Sequence, residues 1–203
     1  MRTGGQRATP LAIVQFRNRL RIVIAAAVAV VALLATFTGR ASAFELRAVD
    51  VLGRSVDASR GPTVIFFMSK RCKEASAAFA KAVDERLLDQ PVESVGVVDV
   101  RRYSGFLRGM CTSYLKRSAE ESRVKRRERR QARGVDASQT AVDRWHLIGD
   151  FDGSLFSRFG VESEPSQPLA FVVDAGGKLH GPFRDVDTVV AAVSSPSGTP
   201  AGR

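Results

Sequence analysis

Apolar residues in the middle of this chain fall into short unbroken runs, and segments of helical spacing separate them. Thr63 to Met68 (TVIFFM) is apolar at nearly every position. That pattern predicts a strand covered on both faces, as in a parallel sheet. From Glu74 to Leu88 the apolar residues Ala78, Phe79, Ala82, Val83 and Leu87 share one helical face. Val92 to Val100 (VESVGVVDV) is rich in valine and predicts the next strand. Trp145 to Ile148 predicts a further short strand, a turn at Asp150 to Gly153, and a short helix from Ser154 to Phe159 stopped by Gly160. Leu169 to Val173 (LAFVV) and Lys178 to Pro182 read as strands paired across the turn Asp174 to Gly177. Asp185 then caps a closing helix that runs to Val193. Upstream, Phe44 to Val56 predicts a small hairpin turning at Gly53. Strands alternating with helices, ending in a hairpin and a helix, predict an α/β sandwich around a mixed sheet.

The two ends follow different rules. Arg2, Arg7, Arg17, Arg19 and Arg21 precede an apolar run from Ile22 to Phe37, and Ala41-Ser42-Ala43 supplies a small-x-small site. This is the three-part pattern of an export signal, so residues 1–43 are expected to be a signal peptide, or an anchor through residues 22–38. The remainder is expected outside the cytoplasm, with the arginines staying inside. The domain then spans 44–194, and 195–203 is a Ser/Pro/Gly tail expected to be disordered. Six of the 31 lysines and arginines and none of the 21 acids precede Phe44, so the formal charge falls from +10 to +4 without them.

Most of the remaining positive charge lies in one place. Lys116 to Arg133 holds nine basic and three acidic residues, with few apolar ones (Ala119, Val124, Ala132). The segment predicts a basic helical insertion, about 112–140, that projects from the body as a solvated helix. It can alternatively meet anionic lipid or an acidic partner. Export argues against nucleic acid.

Cys72 follows the strand TVIFFM and opens the helix after it. Unpaired N–H groups at a helix N-terminus favour an anion. Lys70, Arg71 and Lys73 add positive charge, and Glu74 offsets one of them. These surroundings favour a thiolate; the alternative is a cysteine packed as a small hydrophobe. Cys111 is the one other cysteine. It follows the strand Val92 to Val100 and precedes a helix expected to start near Thr112. If the two strands are parallel, both thiols lie at the sheet edge where sites of open α/β sheets gather. A Cys72–Cys111 bond is therefore expected, either as a redox pair or as a structural bridge. Closing a loop of about 40 residues would stabilise by roughly 3–4 kcal/mol.

Three features resemble the thioredoxin-like superfamily, in its exported TlpA- and redoxin-type branch. They are TVIFFM leading to Cys72, the segment Ser157 to Ser163 (SRFGVES), and the run Pro168 to Gly177 (PLAFVVDAGG). The last is similar to the family's P-x-x-F-x-x-D-x-x-G run, and the match extends over about Phe44 to Ser194. The layout also resembles the periplasmic YtfJ-type family. The resemblance implies a thioredoxin-like sandwich and a cis proline facing the cysteine. Spacing places that proline at Pro168, with Pro165 the alternative. It further implies thiol-based redox chemistry at Cys72, resolved by Cys111, on protein thiols or disulfides or on a small peroxide, with no cofactor. Ser69 stands three before Cys72, as in the P-x-x-x-T/S-x-x-C pattern, and is expected to hydrogen-bond the thiolate. Ile65 replaces that pattern's proline, and Ala75 replaces the second cysteine of C-x-x-C. A dithiol cycle through adjacent cysteines is therefore excluded. The competing expectation is a non-catalytic binding or scaffold module with the basic helix as its contact surface.

Other chemistries find little support. His146 and His180 are the two histidines and neither has a ligand-like spacing, so no metal site is expected. Walker, H-E-x-x-H, G-x-G-x-x-G and G-x-S-x-G patterns are absent.

Overall fold

The structure, a computed structural model, describes residues 44–58, 61–103, 105–162 and 164–195. The expected signal or anchor at 1–43 and all but Ser195 of the expected tail lie outside the described residues. Among the described residues no helix is long and apolar enough to cross a membrane.

The strands are β1 (Arg47–Val49), β2 (Ser55–Asp57), β3 (Thr63–Met68), β4 (Glu93–Asp99), β5 (Trp145–Asp150), β6 (Leu169–Val173) and β7 (Leu179–Phe183). The helices are α1 (Lys73–Arg86), α2 (Phe106–Ala132), α3 (Gln139–Val142), α4 (Ser154–Arg158) and α5 (Val186–Ser194). β1 and β2 form an antiparallel hairpin, with Gly53 of its turn at φ +82°. The other five strands form one mixed sheet in the order β5-β4-β3-β6-β7. β3, β4 and β5 run parallel, and β6 and β7 pair antiparallel. β3 is therefore central and buried on both faces, as its unbroken apolar run predicts.

Alternate residues of β3 feed two cores. Ile65 and Phe67 point toward the β1–β2 hairpin and α4, where Phe67 packs at 4.9 Å from Phe156, 5.0 Å from Phe159 and 5.7 Å from Phe171, between ring centroids. Val64 and Phe66 point to the opposite face, against Phe79 and Val83 of α1 and Val189 of α5. Asp185 caps α5 by accepting from the Thr188 amide at 3.0 Å.

α2 departs from expectation in two ways. It begins at Phe106, six residues before Thr112, so Cys111 lies inside the helix. And the basic segment does not project: Leu115, Ala119, Arg126 and Arg130 are buried. Leu115 and Ala119 join Val100 and Leu147 in a third apolar cluster. A Cβ on Gly149 would lie 3.1 Å from Leu115 Cδ1, so glycine permits this close crossing of α2 over β5. The physical reason for the burial is pairing supplied from far along the chain. Arg126 Nη2 lies 3.2 Å from Asp84 Oδ1, and Arg129 Nη2 donates to Asp84 Oδ2 at 2.8 Å. Arg130 donates to the carbonyls of Leu88 and Asp136. Buried charges persist when they are paired in this way.

Asp50 ties the hairpin turn to β5. It accepts from the Leu52 and Arg54 amides at 3.0 and 2.9 Å, from Arg54 Nε at 2.8 Å, and pairs with His146 Nδ1 at 3.0 Å. Burial alone would raise its pKa, but these hydrogen bonds from Arg54 and His146 outweigh it and hold the carboxyl below the ordinary value. A depressed folded pKa contributes stability that is present above the unfolded value of ~3.9 and lost as pH falls through the folded one. Asp50→Asn should therefore lower the urea midpoint at pH 6. The gap to the parent should close as pH falls below about 4. A gap that stays constant down to pH 2 would mean the carboxylate charge is not what the turn uses.

Candidate functional site

Met68 ends β3, and Ser69 then takes the N-cap position of a short 3-10 turn, Lys70–Cys72, with extended backbone angles (φ −123°, ψ 165°) and no capping hydrogen bond from its side chain. Cys72 in turn is the N-cap residue of α1. The thiol therefore stands where the sequence places it, at the strand-to-helix junction. It is buried, at 5% exposure.

Three groups surround its sulfur. Ser76 Oγ lies at 3.1 Å, Ser69 Oγ at 3.4 Å, and the Gln167 carbonyl accepts from it at 3.8 Å. Ser69 donates its own hydroxyl proton to the Pro165 carbonyl at 3.0 Å. A hydroxyl has one proton, so toward Cys72 Ser69 can only accept, and it shares the single S–H with the Gln167 carbonyl. Ser76 is the hydroxyl free to donate to the sulfur. Sequence reasoning missed Ser76. The available signal was its spacing: four residues after Cys72, on the same helical face.

The cationic setting is less enclosing than the sequence suggests. Lys70, Arg71 and Lys73 are all exposed. Lys73 Nζ reaches Tyr114 of α2, 3.2 Å from its hydroxyl and 5.5 Å from the ring centre. Ala75, where a C-x-x-C pair would have its second thiol, is exposed.

The Pro165–Pro168 loop comes to the thiol directly through the Gln167 carbonyl, and the Pro165 carbonyl holds Ser69 beside it. The cis bond expected at Pro168 is not there. Among the described residues the cis peptide is Gly181–Pro182. A groove of about 570 Å³ opens beside the loop, lined by Pro165, Ser166, Gln167 and Leu169 among others.

Cys111 lies on α2, half-buried against the cluster of Val100, just after β4, and Leu147 of β5. Both cysteines are free thiols, so the expected Cys72–Cys111 bond is not formed. The contacts of Cys72 come from Ser69, Ser76 and Gln167, and burial pushes the Cys111 thiol up.

The histidines serve structure. His146 bridges Asp50 and Glu93, at 3.0 and 3.2 Å, and His180 meets Asp174 at 2.8 Å. Asp150 caps its own turn, accepting from the Gly153 and Phe156 amides. Among the described residues no group of three or more His, Cys, Asp or Glu is arranged to hold a metal ion.

No family model and no curated protein matches the chain. Solved structures do. The pneumococcal exposed lipoprotein thioredoxin from Streptococcus pneumoniae is 16% identical with a TM-score of 0.46, over 73% of this chain and 97% of that one. The thioredoxin domain of a thiol-disulfide oxidoreductase from Bacteroides vulgatus is 16% identical with a TM-score of 0.44, over 75% and 95%. A secreted disulfide oxidoreductase from Mycobacterium tuberculosis is 17% identical with a TM-score of 0.39, over 73% and 94%. At such values the likeness adds nothing to what the strand order already establishes. A five-stranded mixed sheet with β3 at its centre, helices on both faces, and a cysteine at the mouth of α1 give this chain the thioredoxin-like fold.

Proposed function

We propose that this chain is an extracytoplasmic thiol protein that exchanges disulfides through one nucleophile, Cys72. The observation that carries the reading is the setting of that sulfur. It sits at the N-cap of α1 with the Ser76 hydroxyl at 3.1 Å and the 165–168 loop over it. A thiolate formed there attacks one sulfur of a substrate disulfide, expelling the other sulfur as a thiolate and leaving a mixed disulfide on Cys72. The Ser76 hydroxyl donates to the anionic sulfur while Ser69 holds the loop. With Ala75 in place of a neighbouring thiol, an external thiol completes the exchange. Export rests on the pattern of residues 1–43.

The burial of Cys72 favours a second reading, a binding module without catalysis. Its contact surface would be an apolar stripe at the start of α2 rather than the basic half. Phe106 is 84% exposed, and Met110 and Tyr114 follow it on the same helical face. A lipid or acidic contact would have to use exposed cations such as Lys116, Arg117, Lys125, Arg127 and Arg133, because Arg126 and Arg130 face inward.

Alkylation followed by mass spectrometry separates the two readings. Cys72 in the native protein should be labelled by iodoacetamide at pH 7 at least tenfold faster than Cys111. Cys72→Ser should abolish reduction of a disulfide substrate in the presence of a monothiol donor, and Cys111→Ser should leave it within twofold. A Cys72 that is labelled only after unfolding, with no turnover, would establish the binding module instead.

A further inference from the structure

We infer that the cavity between α1 and α2 binds a small organic anion with an apolar body. The cavity holds about 210 Å³ and is lined in part by Met68, Ala80, Trp145 and Leu147. The lining also holds four cations, Arg126, Arg129, Lys125 and Lys81, and one carboxylate, Asp84. The inference goes beyond the thiol chemistry proposed above, since neither Cys72 nor Ser69 lines this cavity.

The cationic lining carries more donors than the protein satisfies. Arg126 is 2% exposed, and its Nε and Nη1 have no hydrogen-bond partner. Its Nη2 lies 3.2 Å from Asp84 Oδ1, an ion pair that is not aligned as a hydrogen bond. Arg129 Nε and Trp145 Nε1 are likewise unpartnered. One carboxylate, Asp84, therefore faces two guanidiniums, and Arg129 Nη2 already takes its Oδ2. Buried donors of this kind are normally paired. Nε and Nη1 lie on different edges of the planar guanidinium, so each offers a ligand oxygen one charge-assisted hydrogen bond. The charge count agrees: a monoanion leaves the site closer to neutral.

The apolar lining decides the rest of the ligand. It is aromatic and aliphatic, and Trp145 brings both a ring face and a donor. Cavities of ~150 Å³ lined by apolar side chains accept a benzene ring. The present one is larger and has a charged end, so an aromatic or short aliphatic carboxylate fits both halves. Inorganic phosphate would satisfy the head alone.

Benzoate, inorganic phosphate and sodium chloride at matched ionic strength test this by calorimetric titration of the full chain. Benzoate should bind saturably at one site per chain, at least tenfold more tightly than phosphate, and chloride should show no saturable heat. Arg126→Met should weaken benzoate by tenfold or more. Ser122→Leu keeps Arg126 and fills the cavity mouth, so it should do the same even if the Arg126 variant does not fold. Cys72→Ser should bind as the parent does, which keeps this test separate from the redox reading. No saturable benzoate binding by the parent would overturn the inference. So would unchanged affinity in the folded variants, or phosphate binding as tightly as benzoate.

Discussion

Deleting Lys116 to Arg133 and closing the gap with a short Gly/Ser linker should abolish the cooperative thermal transition. The deletion removes Arg126, Arg129 and Arg130 together. Asp84, 4% exposed in the intact chain, then loses both of its cations. Removing one partner from a buried pair costs about 3–5 kcal/mol. The Leu88 carbonyl loses its donor from Arg130, at about 1–3 kcal/mol for a buried unsatisfied group. Loss of Ala119 also uncovers the cluster of Val100 and Leu147. A domain is stable by only about 5–15 kcal/mol in total, so these losses together are of the order of the whole. Circular dichroism melts of the parent and truncated chains check it. A truncated chain that melts cooperatively within a few degrees of the parent would show that the arginines are a surface feature after all.

Ser69→Cys should convert the monothiol site into a dithiol one. Ser69 and Cys72 are the cap and third residue of one tight turn, with Oγ and Sγ 3.4 Å apart. A second sulfur at 69 needs only a small rotation to reach bonding distance, whereas Ala75 faces solvent and makes no such contact with Cys72. Under mild oxidation the Ser69→Cys protein should lose both thiols at positions 69 and 72 to labelling. Its disulfide reductase activity should rise at least tenfold above the parent. Ala75→Cys should gain less than Ser69→Cys in both measurements. The substitution gives up the bond from Ser69 to the Pro165 carbonyl, so melting should drop slightly, as for loss of one hydrogen bond of ~1 kcal/mol. Equal activity in Ser69→Cys and the parent, with both sulfurs still free, would place the turn in a geometry that cannot close.

The parts of the fold legible in the sequence are those where local pattern and final environment agree. The unbroken run TVIFFM predicts a strand covered on both faces, and Asp185 caps α5 by contacts within four residues. The start of α2 was hidden for the opposite reason. Gly105 and Gly109 punctuate it, and Phe106, Leu107 and Met110 are apolar yet exposed. The burial of Arg126 and Arg130 depends on Asp84 and the Leu88 carbonyl, more than 40 residues earlier in the chain. No local period reports such a partner. At the candidate site, the place of Cys72 after β3 was legible, while Ser69, expected to hydrogen-bond the thiolate, donates to the Pro165 carbonyl instead. Ser76 was not legible, because a serine in the first turns of a helix reads as surface. A cis proline was expected to face the thiol at Pro168, but what reaches the sulfur is the Gln167 carbonyl, with the Pro165 carbonyl held by Ser69.

The position of Trp145 has an optical consequence. It is the single tryptophan of the chain, it lines the α1–α2 cavity, and its ring lies 6.2 Å from that of Phe66 beneath α1. All indole emission therefore originates at one point, between the sheet and the two helices that carry the charged wall. The two tyrosines, Tyr103 and Tyr114, lie just before and within α2. Excitation transferred from them to the indole reports how closely that helix is seated. A red shift without loss of transfer would mark solvent or a polar guest entering the cavity, and a red shift with loss of transfer would mark α2 leaving the sheet. The protein thus carries a built-in fluorophore that distinguishes occupancy from undocking with no label added.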